Sequence, residues 1–141
     1  MPASESKPLN WKPDPDVGYR VVRRLDGGMH YTFTDTSHST LDHWREFALQ
    51  HLLDSDRLTR NLYDLRQLSE ISQEAVSYAL EVGSDPATRN IRLAVLVANE
   101  QVRQAVKEIA VLASPGGVEM AIFIELEQAE AWLDRPLTLL V

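Results

Sequence analysis

The segment Ile91 to Ala98 (IRLAVLVA) is apolar at every position except Arg92. A nearly continuous apolar run of this length is typical of a strand covered on both faces, as in parallel sheets flanked by helices. The run therefore favours an α/β architecture, in which the neighbouring segments supply the helices that cover it.

Two strands come before any helix. Tyr19 to Leu25 and Met29 to Asp35 are rich in β-branched and aromatic residues, and Gly27-Gly28 lies between them. Glycine supplies the positive φ that tight hairpin turns require, so we predict an antiparallel hairpin. In its second strand Met29, Tyr31 and Phe33 alternate with polar residues, which predicts one buried and one wet face.

The rest of the chain alternates helical and strand periodicity. The predicted order is β-β-α-β-α-β-α-β-α, a mixed, mostly parallel five-stranded sheet with helices packed on it. After the hairpin we expect helices and strands at Thr36–Asp54, Leu58–Tyr63, Ser72–Val82, Ile91–Ala98, Glu100–Ala113, Val118–Glu125 and Leu126–Asp134. Trp44 and Trp132 fall on apolar helix faces and are predicted core residues.

Composition restricts the classes of function. The 141 residues carry a net charge of −7 and no cysteine. The acidic balance argues against nucleic-acid binding and anionic membranes. The lack of cysteine excludes disulfides and thiolate chemistry and fits a cytoplasmic location. We find no signal peptide and no apolar run long enough to cross a membrane.

Both ends of the chain differ from its middle. Residues 1–17 hold prolines at Pro2, Pro8, Pro13 and Pro15 and are predicted to form an extended arm ahead of a single domain, residues 18–141. Trp11 in the arm and the apolar tail Leu137 to Val141 would serve as contacts in a homodimer.

Polar residues follow two neighbouring predicted strands and form the candidate binding surface. Thr36 and Ser37 follow the second strand, and the stretch after the third strand supplies the other candidates: Asp64, Arg66, Ser69 and Ser72. The carboxyl ends of parallel strands are where open α/β sheets bind ligands. Ser69 and Ser72 are also suited to cap the next helix. We expect a protein partner or a small apolar or anionic ligand at this surface.

Three phrases resemble the STAS superfamily, which contains the anti-sigma-factor antagonists and a large group of bacterial SpoIIAA-like proteins. They are Leu62 to Arg66 (LYDLR), Arg92 to Val97 (RLAVLV) and the closing segment Val118 to Leu133, a strand followed by an acidic helix ending in Trp-Leu. The resemblance spans roughly residues 18–135 and rests on packing motifs. It implies a STAS/SpoIIAA-like fold and a non-enzymatic regulatory role through protein contacts.

The resemblance also implies a place for a regulatory phosphate. In anti-sigma-factor antagonists a serine at the start of the helix after the third strand is phosphorylated. Here Ser72 is close to that position, but Gln73 and Glu74 occupy the matching serine positions and the Asp-Ser-Ser/Thr-Gly phrase is absent. A phosphate on Ser69 or Ser72 would still meet the helix dipole favourably.

Two constellations point to chemistry and each has a structural alternative. One cluster lies near the start of the first helix and contains Asp35, His38, Asp42 and His43. His43 also lies three residues before Glu46. These side chains would suit a metal site, a general base or simple helix capping. Ser69, Ser72, Asp64 and His30 could form a hydrolytic set, but no Gly-x-Ser-x-Gly elbow is present. We therefore predict no catalytic residues, no metal and no cofactor.

Glycine pairs and arginines have simpler explanations. Gly27-Gly28 and Gly116-Gly117 lack the spacing of a phosphate-binding loop and are predicted turns. The hairpin and third strand are rich in arginine, which suits either an anion or acidic partner, or pairing with nearby carboxylates. These arginines are Arg20, Arg23, Arg24, Arg57, Arg60 and Arg66.

Three hypotheses of function follow. The first is a non-enzymatic regulatory or interaction module that binds a protein through Asp64 to Ser72 and Thr36 to Ser39. The second is a carrier with an apolar pocket between the first two helices and the sheet, holding a lipid or nucleotide. The third is a hydrolase that uses the region of Asp35 and His38.

Overall fold

The computed structural model describes residues 16–54, 59–85, 91–113 and 119–135. The expected arm up to residue 15 with Trp11, the tail Leu137 to Val141, Arg57 and the turn at Gly116-Gly117 lie outside the described residues. The described elements are β1 Tyr19–Arg23, β2 Met29–Phe33, α1 His38–Asp54, β3 Thr59–Asp64, α2 Gln73–Gly83, β4 Ile91–Leu96, α3 Glu100–Ala113, β5 Glu119–Phe123 and α4 Leu126–Leu133.

The strands of the described residues form one five-stranded sheet in the order β1-β2-β3-β4-β5. β1 and β2 are antiparallel, and every later pair is parallel. His30 pairs with Leu62, and Leu62 in turn pairs with Ala94. The predicted α/β class, the mixed, mostly parallel sheet and the predicted order of elements are confirmed.

The two faces of the sheet are covered unequally. The main core lies on the face that carries Tyr31, Phe33, Tyr63 and Val95, where α1, α2 and α3 pack. A smaller core on the other face joins Leu62, Ala94 and Leu96 to Ala129 and Leu133 of α4. Each β-α-β crossover in the series adds its helix to the same face, because the connection is right-handed and the sheet grows in one direction.

Strand β4 has the burial that its composition predicts. Five of its six residues are buried, and Leu93 is partly buried. Arg92 is the charged residue among these buried positions. It donates to the Arg135 carbonyl at 2.8 Å and to Glu119 Oε1 at 3.0 Å. Its guanidinium also lies 5.6 Å from the Trp132 ring centroid. These partners replace the water that the charge loses on burial.

The hairpin glycines have different roles. Gly27 adopts a φ of 92°, the conformation expected of a glycine in a tight turn. Gly28 is required for a different reason, since a Cβ at its position would lie 1.6 Å from the Arg60 carbonyl oxygen. The hairpin therefore packs its turn directly against the backbone at the start of β3, and this contact fixes the pairing of β2 with β3.

The helices show the predicted inward faces. Trp44 is buried in the main core, whereas Trp132 is partly buried at the edge of the smaller one. Val102 and Val106 of α3 and Ala129 and Leu133 of α4 are buried. Among the described residues, no helix has both the length and the apolar content needed to cross a membrane.

Replacing Gly28 tests the contact between the hairpin and β3. Because the clash is with main-chain atoms, we expect Gly28→Ala to lower the free energy of unfolding by about 3 kcal/mol. Urea denaturation measures the change. Gly83→Ala is the control: its Cβ would meet the Ala113 methyl at 3.0 Å. We expect a change below about 1 kcal/mol there, because alanine also favours the helix. A Gly28→Ala protein as stable as the Gly83→Ala control would contradict this packing.

Candidate functional site

The candidate surface lies at the carboxyl ends of β2 and β3. Residues 34–37 connect β2 to α1, and residues 65–72 connect β3 to α2. Because both connections leave the same edge of the parallel sheet, the structure places the two predicted segments on that edge. Helices α1, α2 and α3 also begin at this edge.

The segment after β3 is held to the fold by its own backbone and by Asn99. Leu65 and Leu68 are buried, and the Leu65 amide donates to the Leu96 carbonyl at 2.9 Å. The Asn99 side-chain amide donates to the carbonyls of Leu68 at 3.2 Å and Ser69 at 3.4 Å. Its Oδ1 accepts from the Val102 amide at 2.8 Å, so the same side chain caps α3.

Sequence analysis did not identify Asn99 as part of this surface. Its only signal was an asparagine just ahead of a predicted helix, which indicates a cap but not a second contact across the sheet edge.

Asp64 and Arg66 satisfy each other. Arg66 donates to the Asp64 carboxylate from Nε at 3.0 Å, from Nη2 at 2.8 Å and from its backbone amide at 3.0 Å. Burial alone would raise the pKa of Asp64, but the hydrogen bonds and the charge of Arg66 outweigh it and lower the pKa. The Asp64 carboxylate is thus ionised and neutralised locally, and the Arg66 side chain stays 40 % exposed.

The two candidate serines differ in role. Ser72 is the N-cap of α2, where its Oγ accepts from the Ala75 amide at 3.1 Å. Ser69 is exposed, and its carbonyl is one of the acceptors for Asn99. The predicted capping function is therefore confirmed for Ser72, while Ser69 belongs to the connecting segment.

Thr36 and Ser37 lie beside a hydrogen-bonded network at the start of α1. Thr40 is fully buried and its hydroxyl donates to Asp35 Oδ1 at 2.7 Å. The Gly18 amide donates to Thr40 Oγ1 at 2.7 Å, and the Ser37 amide donates to Asp35 Oδ1 at 3.0 Å. The Thr40 hydrogen bond, followed by that of Ser37, lowers the pKa of Asp35. This network ties β1, the β2 end and α1 together.

An apolar cleft of about 80 Å³ lies between the two segments. Thr36 and Ile71 lie on its walls at the sheet edge, and the other lining residues come from the strands, the connecting segment and α1 to α3. These are Phe33, Leu41, Trp44, Tyr63, Leu65, Leu68, Ala75, Ala79, Val106 and Ile109. The cleft thus occupies the position predicted for an apolar pocket between the first two helices and the sheet.

The cleft floor has its polar atoms already paired. The Trp44 indole N–H donates to the Tyr63 hydroxyl at 3.0 Å. Burial raises the pKa of Tyr63 to about 12, although hydrogen bonds from Trp44 and Tyr31 act in the opposite direction. Tyr63 is therefore neutral at physiological pH, and the cleft offers an uncharged apolar environment.

The residues of the predicted metal or base cluster bond to different partners. His43 Nδ1 lies 2.7 Å from the Tyr19 hydroxyl, His38 Nδ1 lies 2.5 Å from Glu74 Oε2, and Asp35 belongs to the Thr40 network. Hydrogen bonding to Glu74 raises the pKa of His38. In the described ranges, no group of three or more His, Asp or Glu side chains is placed to hold a metal ion.

The proposed hydrolytic set is divided in the same way. His30 is half-buried, and burial lowers its pKa. Its Nε2 is buried without a hydrogen-bond partner among the described residues. Asp64 is bonded to Arg66, and the Ser72 hydroxyl oxygen accepts from the Ala75 amide. Asp64 and Ser72 are thus held by separate contacts, and the charge of Asp64 acts on the nearby His30 imidazole.

The arginines of the predicted basic patch are bonded in different ways within the fold. Arg24 pairs with Asp26 at 3.1 Å, Glu130 at 2.6 Å and Asp134 at 3.7 Å. Arg60 donates to the Leu133 carbonyl at 2.5 Å, and Arg23 donates to the Gly27 carbonyl at 2.8 Å. The predicted pairing with carboxylates therefore describes Arg24 and Arg66, whereas Arg23 and Arg60 donate to backbone carbonyls. Arg20 is exposed on β1.

In comparisons with known proteins, the chain matches no family model, no curated protein and no solved structure.

The Asp35 network predicts a pH-dependent contribution to stability. A lowered pKa in the folded state means that the contribution is present above the unfolded pKa of about 3.9 and is lost as pH falls through the folded value. Because Asp35 is exposed to solvent, we expect the contribution to be about 1 kcal/mol or less. Urea denaturation of the wild type and Asp35→Asn from pH 7 to pH 2 should show a difference that disappears in acid.

Glu108→Gln, an exposed carboxylate on α3, is the matched control and should follow the wild type. A pH-independent difference between the wild type and Asp35→Asn would show that the carboxylate charge is not what stabilises the network.

Proposed function

We propose that the protein is a cytoplasmic, non-catalytic interaction module with a STAS/SpoIIAA-like fold that binds a protein partner at the carboxyl edge of its parallel strands. The hairpin followed by parallel β-α-β units supports this assignment of fold. The partner surface consists of Thr36 to Ser39, Asp64 to Ser72 and the apolar cleft between them.

The cleft is the observation that carries the proposal. Binding energy in protein interfaces concentrates where an apolar side chain fills a desolvated pocket surrounded by polar contacts. Here Leu41, Trp44 and Ala79 line such a pocket, while exposed Ser37 and Ser69 lie on the flanking segments. The loop that forms one wall is fixed by Asn99 and two buried leucines, so the surface is formed before a partner arrives.

The chemistry of the candidate residues supports a binding role. Asp64 is neutralised by Arg66, Ser72 caps α2, and Asp35 holds Thr40 and Ser37. Each polar side chain stabilises the geometry of the surface, and none of them has a partner that would activate it as a nucleophile.

Filling the cleft tests this proposal. We expect Ala79→Leu to abolish recovery of proteins that co-purify with the wild type, because loss of a buried anchor costs about 2 kcal/mol or more. Ala131→Leu is the matched control, since Ala131 is an exposed alanine on α4. The double variant Arg66→Glu with Ser69→Glu tests the polar side of the same surface. Quantitative pull-downs followed by mass spectrometry compare the wild type with these three variants.

Recovery that is the same for the wild type, Ala79→Leu and the double variant would place the partner surface elsewhere. Circular dichroism spectra of the three variants establish that each is folded.

A carrier of a small apolar ligand is the second candidate. It is favoured by the nearly complete absence of polar atoms from the cleft lining, because a cleft of about 80 Å³ without polar partners is unfavourable for water. A hydrocarbon chain or a ring fits such a lining, whereas a nucleotide would need polar groups that the cleft does not offer.

Native mass spectrometry distinguishes the two candidates. A carrier should show an added mass in freshly purified wild type that is missing in Ala79→Leu and present in Ala131→Leu. A wild type that shows only the mass of the chain, whatever the expression host, would rule out the carrier and leave the interaction module.

A further inference from the structure

The outer surface between α1 and α2 is acidic. Asp42 and Glu46 of α1 and Glu74 and Glu81 of α2 are exposed, and Tyr78 lies among them. Partial burial raises the pKa of Tyr78, and the negative charges of Asp42, Glu74 and Glu81 raise it further. Three carboxylates from two helices therefore interact electrostatically with the Tyr78 phenol. We name this surface the acidic seam, defined by Asp42, Glu46, Glu74 and Glu81.

Cations within the described residues neutralise the acidic seam only in part. Arg45 approaches Glu46 at 3.2 Å and Glu81 at 3.4 Å, and its guanidinium lies 5.4 Å from the Tyr78 ring centroid. His38 bonds to Glu74, and this hydrogen bond raises the pKa of the His38 imidazole. Four carboxylates thus share one permanent positive charge, which leaves a negative potential along the seam.

The apolar cleft lies below the same two helices. Leu41 and Trp44 form its α1 wall, and Ala75 and Ala79 form its α2 wall. Ala75 and Ala79 are four residues apart and so share one face of α2, where their small side chains leave space between the helices. Larger residues at these positions would fill the cleft. The seam therefore lies on the outer side of the same two helices whose inner faces line the cleft.

The distribution of charge in the rest of the fold strengthens the contrast. At the opposite edge of the sheet Arg24, Arg60 and Arg92 are bonded to α4 or to neighbouring carboxylates and carbonyls. These three arginines are thus already bonded at that edge. The ion-pair partners of the seam are Arg45 and His38.

From this juxtaposition we infer that the partner of the cleft is a basic protein segment that inserts one apolar side chain into the cleft beneath α1 and α2. This inference rests on the proposed function and specifies the chemistry of its partner. The apolar side chain supplies burial in the cleft, and lysine or arginine residues on either side of it meet Asp42, Glu74 and Glu81. An acidic segment would be repelled from the same strip, so the seam selects among partners with similar anchors.

A synthetic peptide tests the inference with the full chain. The probe is a short, acetylated and amidated lysine peptide with one central leucine, titrated into isotope-labelled protein. We expect the methyl signals of Ala75 and Ala79 to shift and the dissociation constant to lie below about 1 mM. Exchanging the central leucine for serine should weaken binding about tenfold, because the anchor's apolar area is no longer buried. Exchanging the lysines for glutamates should abolish it.

Protein variants separate the two contributions. Ala79→Leu should remove the preference for leucine over serine, and Asp42→Lys should weaken the leucine peptide about fivefold and reduce its salt dependence. Glu127→Lys makes the same charge change on exposed α4 and should bind like the wild type. The comparison of leucine and serine peptides on the wild type needs no variant, so it holds even where a variant fails to fold.

Several results would overturn the inference. Equal binding of the lysine and glutamate peptides would contradict the preference for a basic partner. The cleft would remain the partner site in that case, so the proposed function would stand. Equal binding of the leucine and serine peptides would reduce the effect to non-specific charge. Nuclear Overhauser contacts between Trp11 and Ala79 in the free protein would show that the chain's own arm is the occupant. A wild-type dimer that becomes a monomer in Ala79→Leu would show that the occupant of the cleft is a second copy of the chain.

Discussion

The structure depends on one topological constraint: the strands of the described sheet follow one another in space in the order in which they follow along the chain. Each right-handed crossover therefore returns to the same face, and α1, α2 and α3 line up side by side on it. The other face is left to α4, which covers Leu62, Ala94 and Leu96. The β1 and β2 side of that face is less covered, and Val22 there is 54 % exposed.

The same constraint positions the candidate surface. Helices that enter one face in sequence must all begin at the carboxyl edge of the sheet, so their first turns and the preceding loops converge there. Asn99 caps α3 and holds the loop before α2, which joins two of these helix starts. Side-chain size then decides how much space remains beneath the helices, and the small side chains of Ala75 and Ala79 leave room for the cleft. The cleft is thus a consequence of topology and of two small residues.

Local patterns were sufficient to predict most of the fold. The run Ile91 to Ala98, the alternation in β2 and the glycines of the hairpin each depend on neighbours in the sequence, and the structure confirms the elements that they predict. The order of the sheet and the second contact of Asn99 depend on residues far apart in the chain. Ser69 and Ser72 illustrate the limit: both suit a helix cap, and the structure gives the role to Ser72, whose Oγ accepts from the Ala75 amide.

The position of the candidate surface was predictable from the sequence, but the contacts of its side chains were not. The rule that parallel sheets bind at their carboxyl edges predicted that Thr36 to Ser39 and Asp64 to Ser72 lie at one edge, and the structure places them there. Side chains that were grouped by proximity in sequence, such as His38 and His43, form bonds to Glu74 and Tyr19 instead. Their partners come from other elements, and no spacing rule within α1 could identify them. The acidic seam likewise appears only when α1 and α2 are side by side.

Hydrogen exchange of the full chain, with and without a protein recovered through it, tests the central claim most directly. If binding takes place at the carboxyl edge, backbone amides should gain protection in residues 36–42 and 65–79. The amides of α4 and of the β1–β2 hairpin should exchange as in the free protein. Protection confined to α4 or the hairpin, with the carboxyl edge unchanged, would contradict the account.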